Sequence, residues 1–405
     1  MLAQSATSIS DFKRCVILYH MRHNLKLRPI EDSESLRQGT NWHRCLEILR
    51  LTPGGPCPCA DLPDAKRGDC ALCEDTGFLP DDMQDALIRY MNQVYATCPP
   101  SVDLVAWEVE RTILLYSAIG WRWYYQDEKV ETLACEVPFN REINSVYNRR
   151  GKIDKIERRD RILGIGEYKS TAKPIDSGAL YWDHLNLDSQ PTMYLIEARH
   201  AQLAGLLEPH GIMRDDPLIS GVLYDVWHKP GIKPKKLSQG DTKKFMPTGE
   251  YYGEKFEVKI GPDDPDRPEL GLRININGTP AEITWGAEPK PTKKTPNPPQ
   301  PFAIRETPGM FGARLLDDIQ KNPEKHFARK EIVRTDEELR RADEEFYNIA
   351  RTADIMTKQN LWFRNEHQCR ATFTCPFHTI CYYGIDVSKG QVPEGFRCTL
   401  EHKND

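Results

Sequence analysis

Hydrophobic residues follow helical spacing in the first fifty positions and predict two helices there. The first helix begins near Ser8 and carries Cys15 on its apolar face. The second covers residues 40–51 and ends before the turn at residues 53–55, where proline and glycine stop helices. A loop around Pro29 joins the two.

Short apolar runs with alternating polar residues follow and predict β-strands. Four runs have this pattern, over residues 111–118, 133–139, 151–157 and 162–169. The polar residues 158–161 between the last two predict a hairpin. A helix with Gln190, Tyr194 and Ala198 on one side comes next, and the apolar stretch 219–226 predicts a buried strand.

The composition changes at residue 229, after which the chain is rich in proline, lysine, glycine and aspartate. One strand is predicted in this part, around residues 272–276, with a flexible flank at 289–301. The charge-rich residues 335–357 predict a helix, and the segment after them is loop-like and contains cysteines. No internal repeat is visible.

These changes predict five segments along the chain. They are N-terminal helices (residues 1–52), a cysteine-rich insertion with a helix (53–103), a core domain (104–238), a second insertion (239–302) and a C-terminal helical region (303–405).

The composition is that of a soluble globular protein, with 405 residues of which 39% are hydrophobic and 28% charged. This length suffices for one large core or two ordinary ones. No stretch approaches the roughly 18 apolar residues that a membrane span needs, and the N-terminus lacks a signal-peptide core. We therefore expect a cytoplasmic protein without a membrane partner.

The formal net charge of −5 does not indicate a nucleic-acid-binding protein by itself. Phosphate contacts would have to come from local basic clusters, such as Arg149, Arg150 and Lys152, or residues 229–236. Twelve cysteines occur in clusters, which in a reducing compartment are more often metal ligands than disulfides.

Two carboxylates and a lysine stand out in the predicted hairpin. Alternate residues of a strand share a face, so Glu167 and Lys169 project together, and Asp154 on the neighbouring strand reaches the same patch if the hairpin closes. Such carboxylates suit Mg²⁺ or Mn²⁺, which activates water to attack a phosphodiester, with Lys169 beside the developing charge. An isolated match of this kind is weak, because a solvated hairpin with surface charges has the same pattern.

Several motifs together resemble a known family. Asp154 with Glu167-Tyr168-Lys169 resembles the PD-(D/E)XK core, residues 39–43 resemble the upstream histidine motif of RecB-like nucleases, and residues 190–194 resemble their QxxxY motif. The resemblance implies a restriction-endonuclease-like α/β fold, with a mixed central sheet flanked by helices. It also implies that His43, Asp154, Glu167 and the Tyr168 carbonyl bind the cation, and that Gln190 and Tyr194 contact DNA or support the site. Glu136 is a weaker candidate, at a position where family members often carry glutamate.

Three C-terminal cysteines, Cys369, Cys375 and Cys381, are each separated by five residues and suit zinc or an iron-sulfur cluster. Cys15 resembles the lone N-terminal cysteine of the iron-sulfur branch of RecB-like nucleases. That resemblance implies a 4Fe-4S cluster that clamps the two ends of the chain together, and residues 363–365 resemble the corresponding segment of phage-encoded members. Relatives often have CxxC spacing here, so Cys398 is an alternative ligand, and four buried free thiols are the structural alternative.

A separate cysteine set has CxC and CxxC spacing, which fits a tetrahedral zinc site. Its members are Cys57, Cys59, Cys70 and Cys73. A cysteine-bearing loop without metal is the alternative. We expect the remaining Cys45, Cys98 and Cys135 to be packing residues.

The resulting hypothesis is a Mg²⁺- or Mn²⁺-dependent DNA nuclease, an exonuclease on single- or double-stranded ends, acting in recombination, repair or replication with other proteins of those processes. A non-cleaving DNA-binding accessory protein is one alternative. A nuclease of CRISPR adaptation is another, although such chains are usually shorter. A zinc-containing interaction protein would require the carboxylate and lysine pattern to be accidental.

Overall fold

A central mixed β-sheet with helices on both faces organises the chain. The computed structural model describes residues 2–31, 33–61, 70–128, 130–145, 147–159, 162–262, 272–290, 299–371, 374–387 and 391–399. The helices are α1 (Ala6–Arg14), α2 (Val16–Tyr19), α3 (Glu34–Leu49), α4 (Met83–Val94), α5 (Leu104–Tyr124), α6 (Tyr181–Leu185), α7 (Ser189–Leu203), α8 (Gln239–Thr248), α9 (Pro308–Lys321), α10 (Pro323–His326), α11 (Asp336–Gln359) and α12 (His378–Tyr382).

The strands fall into the central sheet and four small sheets. They are β1 (Leu2–Gln4), β2 (Leu27–Pro29), β3 (Glu131–Glu142), β4 (Tyr147–Arg159), β5 (Ile162–Thr171), β6 (Gly221–His228), β7 (Glu250–Tyr251), β8 (Glu254–Lys255), β9 (Val258–Pro262), β10 (Leu272–Ile276), β11 (Thr279–Pro280), β12 (Ile283–Trp285), β13 (Phe302–Ile304), β14 (Phe327–Val333) and β15 (Phe396–Cys398).

The central sheet has the strand order β1-β4-β5-β6-β14. β1 pairs with the first residues of β4 and β5 with its last residues, while β3 pairs with β4 along most of its length. Strands β4 and β5 form an antiparallel hairpin, whereas β5 and β6 run parallel. The parallel pair requires a crossover, which α6 and α7 supply. The sheet with its flanking helices confirms the mixed α/β architecture that the sequence predicted.

Apolar side chains cover both faces of the sheet. On one face Trp42 of α3 stacks on Trp227 of β6, with ring centroids 4.4 Å apart, and helices α4, α5 and α9 complete this core. On the other face Leu195 of α7 packs in one cluster with Ile165 and Tyr224. Helix α3 therefore approaches the sheet from one side and α7 from the other.

A small subdomain lies between β6 and β14. It contains α8 and strands β7 to β13, and its own apolar cluster includes Leu237, Phe245, Ile274 and Ile304. Met310 of α9 belongs to the same cluster, so the subdomain packs on that helix. The sequence had predicted one strand here. Strands β7, β8, β11, β12 and β13 were missed because two or three residues leave no periodic signal, and the five-residue β9 was missed because none of its residues is buried.

The two ends of the chain pack against each other. Strand β2 pairs with β15, and Leu18 and Met21 share an apolar cluster with Phe377 and Ile380. Cys15 has an extended backbone between α1 and α2. The prediction of one helix through Cys15 was therefore wrong, because this extended residue divides the segment into two helices and the spacing of apolar residues alone does not reveal the break.

Other element predictions have mixed outcomes. The hairpin of β4 and β5, helix α7, strand β6, strand β10 and helix α11 are confirmed, while residues 160 and 161 of the hairpin turn and 291–298 of the predicted flexible flank lie outside the described residues. The loop predicted around Pro29 contains β2. The first helix begins after the N-cap Ser5, not near Ser8. The second begins at Glu34, not at residue 40.

The strand predicted at residues 111–118 is wrong, because these residues lie inside the 21-residue helix α5. Its buried residues Trp107, Leu114, Ala118 and Trp121 recur at helical spacing, and Asp103 caps its N-terminus by accepting from the Ala106 amide. A short apolar run does not distinguish a strand from a buried helix. Among the described helices, none is long and apolar enough to cross a membrane.

Candidate active site

Asp154 and Glu167 face each other where strands β4 and β5 separate. The last paired residues of the hairpin on this side are Lys155 and Gly166. The same antiparallel register places Asp154 opposite Glu167 at the next position, where the two strands no longer form a ladder. Two carboxylates therefore occupy an opening in the sheet that a helix on either side can reach.

The Tyr168 peptide group links the two sides of this opening. The Tyr168 backbone lies close enough to both side chains to lower the pKa of Asp154 and to raise that of His43, although burial shifts each pKa further in the opposite direction. Nδ1 of His43 lies 3.5 Å from Oδ2 of Asp154. His43 is in the second half of α3, not at its start as expected from the sequence. The structure thus brings His43, Asp154, Glu167 and the Tyr168 backbone together.

Three side chains lie close to the ammonium group of Lys169. Its Nζ lies 2.8 Å from Oε1 of Glu167, 3.0 Å from Oε1 of Gln190 and 3.5 Å from Oδ2 of Asp188. Asp188 is a residue that the motif analysis missed. It caps α7 by accepting from the Gln190 amide, so an aspartate before a predicted helix was the available signal.

Gln190 and Tyr194 occupy adjacent turns of α7. Nε2 of Gln190 lies 3.5 Å from the Tyr194 hydroxyl, and the Tyr194 ring packs edge-on against Phe139 of β3. Because Gln190 also contacts Lys169, α7 supports the lysine from the face of the sheet opposite to α3.

Burial shapes the electrostatics of the cluster. Burial raises the pKa of Glu167 to about 7, with Lys169 opposing the shift and Asp154 adding to it. Burial likewise raises the pKa of Asp154 and lowers that of His43. The pKa of Lys169 is raised, because Glu167 and Asp188 outweigh the effect of burial. The lysine is therefore a stable cation, whereas the positive charge near Asp154 and Glu167 does not offset the effect of burial on their pKa values.

The donor set fits a divalent cation. Oδ2 of Asp154 and Oε2 of Glu167 are buried and accept no hydrogen bond from the described residues. Buried carboxylate oxygens without a donor are costly unless a cation neutralises them. Carboxylate and carbonyl oxygens are ligands that Mg²⁺ and Mn²⁺ prefer.

Glu136 and Arg149 both form ion pairs. Glu136, with a φ of 53° in β3, pairs with Lys152, and its place in the active site stays a prediction. Arg149 is completely buried and contacts Glu197 and Asp343, so it is not available for phosphate. The assignment of Arg149 to a phosphate-binding cluster was wrong, because neighbouring elements bury its guanidinium in ion pairs.

Four cysteines from both ends of the chain line one cavity of about 180 Å³. They are Cys15, Cys369, Cys375 and Cys381. Burial raises the pKa of the Cys375 and Cys381 thiols. Cys398 contacts the Leu25 carbonyl, two residues before β2, instead and does not belong to the described lining of the cavity. The cavity is larger than a single metal ion requires.

The CxC and CxxC cysteines form a compact group. All four sulfur atoms lie within 4.8 Å of one another. Sγ of Cys57 is 3.7 Å from that of Cys70, and Sγ of Cys59 is 3.5 Å from that of Cys73. Tetrahedral zinc with Zn–S bonds of about 2.3 Å separates its sulfurs by about 3.8 Å, so this group fits one zinc ion.

Two of the three cysteines expected to pack do so. Cys45 is buried in the core beside α4, and Cys98 packs at its edge. Cys135 is exposed, so its assignment as a packing residue was wrong. It directly follows the register shift between Thr132 and Ala134 of β3, where strict alternation of buried and exposed positions does not hold.

Comparison with known families gives a match over nearly the entire sequence. The family model described as the PD-(D/E)XK nuclease superfamily matches residues 3–382. Comparison with curated proteins finds no match. The matched range contains the hairpin with Asp154 and Glu167, and the superfamily's members are generally hydrolases of nucleic acids that use Mg²⁺ or Mn²⁺. The chain therefore belongs to the PD-(D/E)XK nuclease superfamily.

Proposed function

We propose that this protein is a RecB-like DNA nuclease that hydrolyses phosphodiester bonds at the opening between β4 and β5. The observation that carries the proposal is the pair of buried carboxylate oxygens on Asp154 and Glu167, which accept no hydrogen bond from the described residues. His43, Asp154, Glu167 and the Tyr168 carbonyl would hold Mg²⁺ or Mn²⁺. A bound cation of this kind lowers the pKa of water and stabilises charge on the phosphate.

The protein's own residues prepare the phosphate for attack. Hydrolysis joins the water oxygen to phosphorus, breaks the bond to the leaving oxygen and releases a proton from the water. Negative charge develops on the phosphate during this step, and Lys169 is positioned to neutralise it. Glu167, Gln190 and Asp188 restrict the lysine to one place, and Tyr194 supports Gln190.

The cavity of Cys15, Cys369, Cys375 and Cys381 would hold a 4Fe-4S cluster. Thiolates are the protein ligands of such clusters, and all four cysteines are among the residues that line the cavity of about 180 Å³. The cluster would join α1 and α2 to the C-terminal segment and close a loop of more than roughly 350 residues, which restrains the unfolded chain. Cys57, Cys59, Cys70 and Cys73 would hold a zinc ion.

The biological setting follows from the same resemblance. We propose an exonuclease of DNA recombination, repair or replication, phage-encoded and active in the host cytoplasm alongside proteins of those processes. The residues around Phe363 that resemble phage members support the origin.

The decisive experiment uses end-labelled single- and double-stranded DNA with Mg²⁺ and with Mn²⁺. We expect wild-type protein to degrade DNA only with a divalent cation, and Asp154→Asn, Glu167→Gln and Lys169→Met each to reduce the rate at least a hundredfold. Glu331→Gln makes the same carboxylate-to-amide change on β14, where the side chain is exposed, and should retain activity. The ladder pattern distinguishes digestion from an end from internal cutting.

Full activity in Glu167→Gln or Lys169→Met would refute the assignment of the site. Tight DNA binding without turnover with either cation would instead support a non-cleaving accessory protein of the same fold.

A further inference from the structure

A group of exposed lysines lies at the start of the subdomain between β6 and β14. Residues 229–244 contain six lysines and one aspartate, a local charge of +5 in a chain whose net charge is −5. Lys233, Lys235 and Lys236 are exposed, and no carboxylate of the described residues forms an ion pair with them. Uncompensated positive charge of this density attracts polyanions.

An exposed aromatic side chain accompanies these lysines. Nζ of Lys235 lies 5.9 Å from the centre of the Tyr252 ring, and the Tyr252 residue is 42% exposed. We call Lys233, Lys235, Lys236 and Tyr252 the hairpin surface, because Tyr252 lies at the tip of the β7–β8 hairpin.

Tyr252 occupies a position that disfavours it energetically. The hairpin turn consists of Tyr252 and Gly253, with φ of 47° and 80°. A two-residue turn with both φ values positive favours asparagine or glycine at its first position. A bulky residue there is strained, and strain of this kind is kept where a side chain serves a function.

The sheet topology places the hairpin surface near the candidate active site. The Lys229 amide donates to the Thr171 carbonyl at the end of β5, 2.8 Å away, and Thr171 is two residues beyond Lys169. Lys235 is six positions beyond Lys229 in the chain, so the two residues are at most about 20 Å apart. A few nucleotides of extended strand cover this distance.

We propose that the hairpin surface binds single-stranded DNA and leads it to or from the catalytic opening. Lysines next to an exposed aromatic ring are the combination that binds single strands, since phosphates meet the charges and an unpaired base stacks on the ring. Paired bases are not free to stack on Tyr252, so the surface favours single strands over duplexes. Binding of the single strand does not depend on the proposed nuclease function. Only the path of the strand to or from the catalytic opening rests on that function.

The test measures binding of a labelled 20-nucleotide oligothymidine by fluorescence anisotropy, over a range of salt concentrations and without added divalent cation. In Lys235→Glu/Lys236→Glu we expect at least tenfold weaker binding and a smaller salt dependence, with the slope of log affinity against log salt reduced by about 1.4. Lys330→Glu changes the charge of an exposed lysine on β14 and should leave binding unchanged.

A second variant separates binding from folding. Tyr252→Asn suits the turn better, so its melting temperature should not fall, while binding of the single strand weakens about fivefold or more and duplex binding stays the same. Unchanged single-strand affinity in both variants, or equal losses for single strand and duplex in Tyr252→Asn, would overturn the inference. Cleavage of a dinucleotide by these variants should match wild type, so failure of the nuclease proposal would appear there, independently of binding.

Discussion

The side chain of Lys155 lies across the backbone of Gly166, its partner on the neighbouring strand. A Cβ atom on Gly166 would overlap the aliphatic chain of the lysine. Lys155 has little freedom to move away, because it is buried, its Nζ lies 2.8 Å from Glu157, and it sits 4.8 Å from the centre of the Tyr168 ring. The glycine before Glu167 therefore sets the spacing of the two strands next to the candidate active site.

We expect Gly166→Ala to destabilise the protein by about 1–3 kcal/mol, the usual range for adding a group to a packed interior. The displaced strand would also move Glu167, so nuclease activity should fall more than the folded fraction does. Thermal unfolding and activity at a temperature where the variant is folded measure the two effects. Gly178→Ala is the control, since nothing lies within 4 Å of the added Cβ. Equal stability of both variants would contradict the close packing.

Cation binding should depend on pH through Glu167. Its pKa of about 7 without a cation arises mainly from burial, and a cation must displace the proton from the carboxyl group. The apparent Mn²⁺ affinity should therefore be constant above pH 8 and fall by about tenfold per unit well below pH 7. His43 adds no competing proton near neutral pH, because burial lowers its pKa.

Titration calorimetry with Mn²⁺ in buffers of different ionisation enthalpy measures both the affinity and the proton released. Glu167→Gln should bind Mn²⁺ more weakly and lose the pH dependence in this range. An affinity that stays flat from pH 6 to pH 8 in the wild type would show that Glu167 is not a ligand.

Cys57, Cys59, Cys70 and Cys73, which we call the knuckle cysteines, should carry one zinc ion per chain. Cys57 and Cys73 are buried in the same core cluster as Trp42 and Leu46 of α3, so loss of the metal should loosen the helix that carries His43. We expect Cys73→Ser to remove the zinc, as measured by elemental analysis, and to lower the melting temperature. Cys98→Ser is the matched control at the edge of the same core. Unchanged zinc content in Cys73→Ser would exclude the knuckle as its site.

The second cysteine set should carry iron instead. Visible absorption and acid-labile sulfide report an iron-sulfur cluster, because zinc thiolates are colourless. Cys15→Ser and Cys369→Ser should each lose the colour and the iron, and resistance to unfolding should fall with them. Cys398→Ser should keep both, since this thiol contacts the Leu25 carbonyl and not the cavity. Colour that persists in Cys15→Ser would show that the N-terminal ligand is misassigned.

The sequence by itself determined those groupings of functional side chains that depend on short-range spacing. Alternation along β4 and β5 was sufficient to place Glu167 and Lys169 on one face, because side-chain direction in a strand has a period of two. Short-range spacing likewise identified the four knuckle cysteines, which lie within seventeen residues of one another. Helix α11 was predictable for the same local reason, because its buried residues Leu339, Phe346, Ala350 and Ala353 recur at helical spacing.

Only the tertiary structure decided which contacts form between elements that are distant in sequence. Residues 111–118 became helical because α5 packs its buried face against the sheet and α9, and Arg149 became an internal ion-pair partner because α7 and α11 enclose it. Asp188 reached Lys169 only through the crossover that makes β5 and β6 parallel. Contacts of this kind depend on how faces pack and strands separate, and no local spacing in the chain encodes them.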